Sequence, residues 1–152
     1  MARTICLQLL ATRARTRSEL ATALAKRGVP DVVATAVLDR FVELGFVDDA
    51  AFAVAWVASR QAGRGLAGRA LAHELRTKGV PDDVVRTALA AVDPEAELAK
   101  ARELVARRMA GMSGVPLQTR YRRLSGLLAR KGYPGAVAAR AIKEALADAL
   151  PD

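Results

Sequence analysis

Apolar residues in this chain recur at intervals of three and four, which is the spacing of one face of an α-helix. Leu20 and Leu24 lie one helical turn apart. A further stripe follows at Val33, Val37, Phe41 and Leu44. No stretch shows the alternation of a half-buried strand, so the pattern predicts an all-α fold.

The same pattern occurs three times along the sequence. Each copy has two leucines four positions apart, then a basic residue, a glycine and a proline two positions later. The three glycines, Gly28, Gly79 and Gly132, are 51 and 53 residues apart. A period near fifty residues is typical of tandem supersecondary units that stack on one another.

Each copy is predicted to form a helix, a turn and a second helix. The three glycines fit the left-handed position that ends a helix, and the following prolines fit the start of the next one. Asp48 and Asp93 are expected to cap a further helix ahead of the second and third copies. In the first copy, Ser18 is expected to begin the middle helix.

The sequence therefore predicts three tandem three-helix repeats, with about nine helices in an elongated curved array. The repeats are placed at residues 1–47, 48–92 and 93–152. Phe52 lies in the first helix of the second repeat, and the position 51 residues earlier is Met1. Either the first helix is shortened or the sequence begins inside it.

Basic residues are in excess, and they concentrate in the outer repeats. The formal net charge is +8, of which the three repeats carry +3, +1 and +4. This balance favours a polyanionic partner, such as nucleic acid or an acidic protein surface, although solubility alone would also explain it.

The candidate partner-binding residues come from two basic clusters and from the arginines in and beside the glycine-rich segment at 63–68. They are Arg13, Arg15, Arg17, Arg64, Arg69, Arg107, Arg108, Arg120, Arg122, Arg123, Arg130 and Lys131. Such side chains neutralise phosphates or carboxylates. Tyr121 lies in the same stretch and could either stack on a base or belong to the core.

Catalytic, cofactor and metal sites are not expected. Gly63, Gly65 and Gly68 match a dinucleotide-binding pattern, but a helix precedes them where that motif needs a strand, so a loop is predicted at 63–68. His73 is the single histidine, and Cys6, the single cysteine, is expected to be buried in the core. A reduced cytoplasmic location, no membrane association and a monomer are expected.

The repeats resemble those of the RecX family. The most specific stretch begins at Leu44-Gly45-Phe46-Val47-Asp48-Asp49, continues through Phe52-Ala53 and Trp56-Val57, and ends at Arg60. Further similarity covers Ser18 to Val29, Gly65 to Leu75 and Leu124 to Tyr133, so it extends over nearly the whole chain. The high content of Ala, Arg and Val is typical of proteins from high-GC actinobacteria.

The resemblance implies a negative regulator of the RecA recombinase with no catalytic residues. Members of this family bind the RecA filament on single-stranded DNA and inhibit ATP hydrolysis, strand exchange and coprotease activity. The residues leave two alternatives open: a helical-repeat scaffold that binds nucleic acid without RecA, and a general helical adaptor in another complex.

Overall fold

The computed structural model describes residues 1–64 and 66–149, and within them it contains nine α-helices and no strand. The all-α prediction is confirmed. The helices are α1 (Ala2–Thr12), α2 (Arg17–Lys26), α3 (Asp31–Glu43), α4 (Asp49–Arg64), α5 (Gly68–Thr77), α6 (Asp82–Ala90), α7 (Pro94–Ala110), α8 (Leu117–Arg130) and α9 (Gly135–Ala149). None of them is long and apolar enough to cross a bilayer.

The helices form two compact units, each with its own hydrophobic core. One unit combines Met1–Val57 with Glu74–Ala88, and the other combines Ala58–His73 with the chain from Leu89 onward. The first core includes Ile5, Cys6, Leu20, Leu24, Leu38 and Phe41. The second includes Leu98, Ala101, Leu124, Leu128, Tyr133 and Ile142. The burial expected for Cys6 is confirmed, since none of its surface is exposed.

Two of the predicted helix starts are confirmed and one is wrong. Asp48 accepts a hydrogen bond from the N–H of Ala51, and Asp93 accepts one from the N–H of Glu95. Helix α2 starts at Arg17 and not at Ser18, because Thr16 is its cap. Thr16 and Glu19 form a capping box, in which each side chain accepts from the backbone N–H of the other residue.

The apolar stripe of α3 and the loop at 63–68 also differ from expectation. Helix α3 buries Ala34, Leu38 and Phe41, whereas Val33 and Leu44 are about half exposed. Helix α4 runs through Gly63 to Arg64, and Gly68 already belongs to α5. The connection is therefore shorter than predicted, and residue 65 lies outside the described residues.

The three repeat glycines end their helices as predicted. Gly28, Gly79 and Gly132 have φ of 78°, 81° and 88°, a region that L side chains rarely adopt. In each turn the N–H of the next residue donates back to a leucine carbonyl, as from Val80 to Leu75 at 3.0 Å. This bond satisfies a carbonyl that the end of the helix would otherwise leave without a donor.

In the first unit, the start of α2 lies against the turn that ends α5. The Thr16 hydroxyl is fully buried and donates to the carbonyl of Lys78 at 2.7 Å. Ser18 occupies the space where Gly79 lacks a side chain. The N–H of Arg17 also donates to the carboxylate of Asp49 at 2.9 Å, which fixes α2 on the start of α4.

In the second unit, the start of α5 lies in the same way against the turn that ends α8. The N–H of Ala67 donates to the carbonyl of Lys131 at 2.8 Å. A side chain at Gly132 would overlap with Ala70. The same contact between a helix N-terminus and a glycine turn therefore occurs once in each unit.

Thr16→Ala is expected to destabilise the protein because one substitution removes both the cap of α2 and the donor to the Lys78 carbonyl. We expect a loss of about 2 kcal/mol, roughly 1 for the cap and 1 for the buried carbonyl. Thr16→Ser keeps the hydroxyl and is expected to stay within about 0.5 kcal/mol of wild type. Urea unfolding measures both, and equal stability of the two variants would contradict this role of Thr16.

Candidate polyanion-binding cleft

The predicted basic residues fall into two groups with different surroundings. Those of the first repeat are held by partners within the chain. Arg13 pairs with Glu19 at 3.0 Å, and Arg17 pairs with Asp39 at 2.6 Å. Arg15 donates to the Thr12 hydroxyl at 3.0 Å.

Glu19 is the centre of the first group. Burial would raise its pKa, but the hydrogen bonds from Arg13 and the Thr16 N–H, with the charges of Arg13 and Lys78, lower the pKa below its ordinary value. Because the folded pKa is lowered, Glu19 stabilises the native state at neutral pH and loses that contribution as the pH falls through the folded pKa. The first basic cluster therefore contributes to the fold of its own unit.

Four arginines of the third repeat line one surface cleft of about 500 Å³. Arg108 comes from the last turn of α7, and Arg122, Arg123 and Arg130 come from α8. We call this feature the arginine cleft. Arg123 and Arg130 are seven residues apart, which is two helical turns, so they lie on one face of α8.

Small and apolar residues shape the arginine cleft. Met112, Leu124 and Leu127 are buried residues at its wall. Gly126 lies in the middle of α8, where a Cβ atom would be 3.1 Å from Nη1 of Arg130. Its missing side chain therefore lets the guanidinium of Arg130 lie against the helix.

The four guanidinium groups are exposed and have no carboxylate partner among the residues that the structure describes. A guanidinium stays protonated at any physiological pH, so the cleft holds four positive charges close together. Repulsion among the four charges raises the free energy of the unbound protein, and an anion bound in the cleft would offset that repulsion. Its chemistry fits phosphate or carboxylate groups, which arginine binds through paired hydrogen bonds.

The remaining predicted residues lie outside the arginine cleft. Arg120 donates from Nε to the Val115 carbonyl at 2.7 Å, at the start of α8. Arg107 and Arg69 are exposed, and Lys131 is half-buried in the turn against α5. Tyr121 is 40% exposed, which excludes its alternative placement in the core. The side chain of Arg64 lies outside the described residues.

The described residues contain no group of three His, Cys, Asp or Glu side chains that could hold a metal ion. Burial raises the pKa of the Cys6 thiol, and burial with the nearby Glu97 and Glu103 raises the pKa of Tyr133 to about 12. Both groups therefore stay neutral at physiological pH. His73 is exposed.

Three sequence-family models match successive segments of the chain. They describe the first, second and third three-helix domains of RecX, and they match residues 2–41, 48–89 and 95–142. The chain belongs to the RecX family. The match covers most of the sequence, and it includes the arginine cleft within the third domain.

Relatives named Regulatory protein RecX are similar along nearly the whole chain. The protein of Thermobifida fusca is 56% identical over 145 residues, covering 95% of this chain and 78% of that protein. That of Streptomyces coelicolor is 52% identical, with 95% and 77% covered. That of Mycobacterium avium is 49% identical, with 96% and 85% covered.

Two solved structures share the fold. The crystal structure of RecX from Lactobacillus salivarius has a TM-score of 0.89 at 17% identity, covering 94% of this chain and 93% of that one. A crystal structure of regulatory protein RecX has a TM-score of 0.84 at 22% identity, covering 94% and 70%. At this identity the likeness establishes the RecX fold alone.

Removing arginines from the two groups is expected to change stability in different ways. Arg13→Ala removes the partner of Glu19, so we expect it to cost about 0.5–1 kcal/mol. A variant with R122A, R123A and R130A removes like charges, so we expect no loss of stability at low salt. Urea unfolding measures both, and a loss above about 1 kcal/mol in the triple variant would mean that these arginines support the fold.

Proposed function

We propose that this protein is a negative regulator of RecA, binding the RecA–single-stranded DNA filament and inhibiting ATP hydrolysis, strand exchange and coprotease activity. The observation that carries the proposal is membership of the RecX family along all three repeats. We infer that it acts as a cytoplasmic monomer without a cofactor.

The arginine cleft is the site that we assign to the filament. A filament on single-stranded DNA presents phosphates from the DNA and carboxylates from the protein. Arg108, Arg122, Arg123 and Arg130 offer forked donors for either group, and they have no carboxylate partner among the described residues. Arg13 and Arg17 were equal candidates from the sequence, but their ion pairs with Glu19 and Asp39 make them weaker ones.

Inhibition follows if contacts with the filament restrain the motions that ATP turnover needs. A polymeric partner repeats the same surface, so a chain with several contact points gains affinity through effective concentration. Charged contacts at the arginine cleft would make the effect weaker at higher salt.

Single-stranded-DNA-dependent ATP hydrolysis by RecA from the same organism tests the proposal. We expect the wild-type protein to inhibit hydrolysis, and we expect R122A/R123A/R130A to need at least about tenfold more protein for half-inhibition, because a hydrogen bond to a charged group contributes about 1.5–3 kcal/mol. Arg120 is left unchanged because it holds the Val115 carbonyl.

The matched control is R86A/R140A/K143A, which removes three positive charges from exposed positions outside the cleft. We expect it to inhibit nearly as well as wild type. An equal loss of inhibition in both variants would show that only the net charge matters, and it would contradict the assignment of the arginine cleft as the binding site. No inhibition by a folded wild-type protein, with tight binding to bare DNA, would favour a scaffold that acts without RecA.

A further inference from the structure

The contact between a helix start and a glycine turn occurs twice within this molecule, and its chemistry is the same in outline both times. The turn offers the carbonyl of its basic residue as a hydrogen-bond acceptor, with a glycine surface beside it. The helix offers a hydrogen-bond donor and a residue that fits over the glycine. The donor is the Thr16 hydroxyl at one turn and the Ala67 N–H at the other.

The contact in the first unit defines the complementary helix start in more detail. Thr16 donates to the Lys78 carbonyl, and Ser18 covers Gly79. Glu19, in the first turn of α2, places a carboxylate oxygen 3.7 Å from the Nζ of Lys78. The start of α2 therefore carries a hydroxyl cap, a small residue and an acidic residue, in that order, whereas the start of α5 uses a backbone donor and has no acidic residue in its first turn.

The first repeat contains a third copy of this turn, formed by Arg27 and Gly28, and none of the described residues covers it. Gly28 has φ of 78°, but the space beside it is open to 4 Å. In the described residues no donor reaches the Arg27 carbonyl. The residues that follow the two covered glycines, Val80 and Tyr133, are each 4% exposed, whereas Val29 is half-buried.

Two exposed valines and the exposed Asp31 follow the uncovered turn. Val32 is 83% exposed and Val33 is 46% exposed, both at the start of α3. Apolar side chains beside an uncovered turn, whose two counterparts are both covered, are compatible with a contact surface.

We propose that the turn at Arg27 and Gly28 binds the N-terminus of an α-helix from another protein, one with a Ser or Thr cap and an acidic residue in its first turn. The guanidinium of Arg27 takes the place of the Lys78 ammonium and pairs with that acidic residue. The carbonyl of Arg27 accepts from the cap, and Val32 packs against the helix. This inference rests on the proposed function, so the helix belongs to a RecA subunit of the filament.

A second copy of this chain does not fit the turn. The contacts already present use the start of a middle helix, and the middle helix that remains is α8. Its first turn has no acidic residue, and it carries Arg120, Arg122 and Arg123 close behind. The first turn of α5 has no acidic residue either, but α5 is covalently joined to its turn within one chain, whereas a second copy would have to bind against this repulsion. Arginines facing Lys26 and Arg27 would repel, whereas an acidic helix start is complementary to them.

Two variants test the proposal through the same hydrolysis assay and through co-sedimentation with RecA filaments. Arg27→Glu reverses the charge that would meet the acidic residue. Val32→Glu places a like charge beside that residue, and an acidic side chain is compatible with the first turn of α3. Arg86→Glu is the matched control, because Arg86 is exposed in the same unit and undergoes the same change of charge.

We expect Arg27→Glu and Val32→Glu to weaken binding about tenfold or more, while Arg86→Glu changes it less than about threefold. Circular dichroism checks that each variant is folded. Binding by both turn variants at wild-type strength would overturn the inference while leaving the proposed function intact. Absence of binding by the wild type would overturn both together.

A photo-crosslink locates the contact directly. A photoreactive phenylalanine analogue replaces Val32, and the products with RecA filaments are mapped by mass spectrometry. We expect the crosslink within the first two turns of a RecA helix that has an acidic residue near its start. Crosslinks confined to DNA, to a second copy of this chain or to the middle of a helix would overturn the inference.

Discussion

A helix start placed against a glycine turn is the contact on which the repeats of this molecule depend. The turn must adopt a positive φ to end one helix, and it must also lack a side chain so that the next helix can approach. Glycine is the residue that meets both demands at little cost. Gly79 and Gly132 therefore determine which helix starts can pack against the turns that end α5 and α8.

The same constraint explains how the basic residues divide. In the first unit, Arg13 and Lys78 converge on Glu19 because the capping box of α2 places its carboxylate against the α5 turn. These basic residues therefore share a carboxylate partner within the fold. In the third repeat, the first turn of α8 has no acidic residue, and Arg122, Arg123 and Arg130 have no carboxylate partner among the described residues.

Much of the fold could be predicted from the sequence because its signals are local. The glycine turns and the caps at Asp48 and Asp93 depend on residues within one or two turns. The Thr16–Glu19 box has the same kind of signature and was missed in favour of Ser18. The buried stripe of α3 was misplaced because Ala34 gives a weaker apolar signal than Val33, although the packing buries the alanine.

The candidate site was harder to predict because charge alone does not tell which arginines have partners. The pair between Arg17 and Asp39 joins residues 22 positions apart, and nothing in the spacing indicates it. The cleft depends on Gly126, which the sequence places in a helix with no visible reason. Predicting how Gly126 affects Arg130 requires the side-chain rotamer of Arg130 and the position of the neighbouring turn of α8.

The most direct test of the central constraint compares Gly132→Ala with Gly28→Ala by urea unfolding. Both alanines must adopt a positive φ, which costs about 1–2 kcal/mol in each variant. At Gly28 the side chain meets open space, whereas at Gly132 it overlaps with Ala70. We expect Gly132→Ala to lose about 1–3 kcal/mol more than Gly28→Ala. Equal losses would contradict the account, because the glycine would then serve the turn alone and not the contact between repeats.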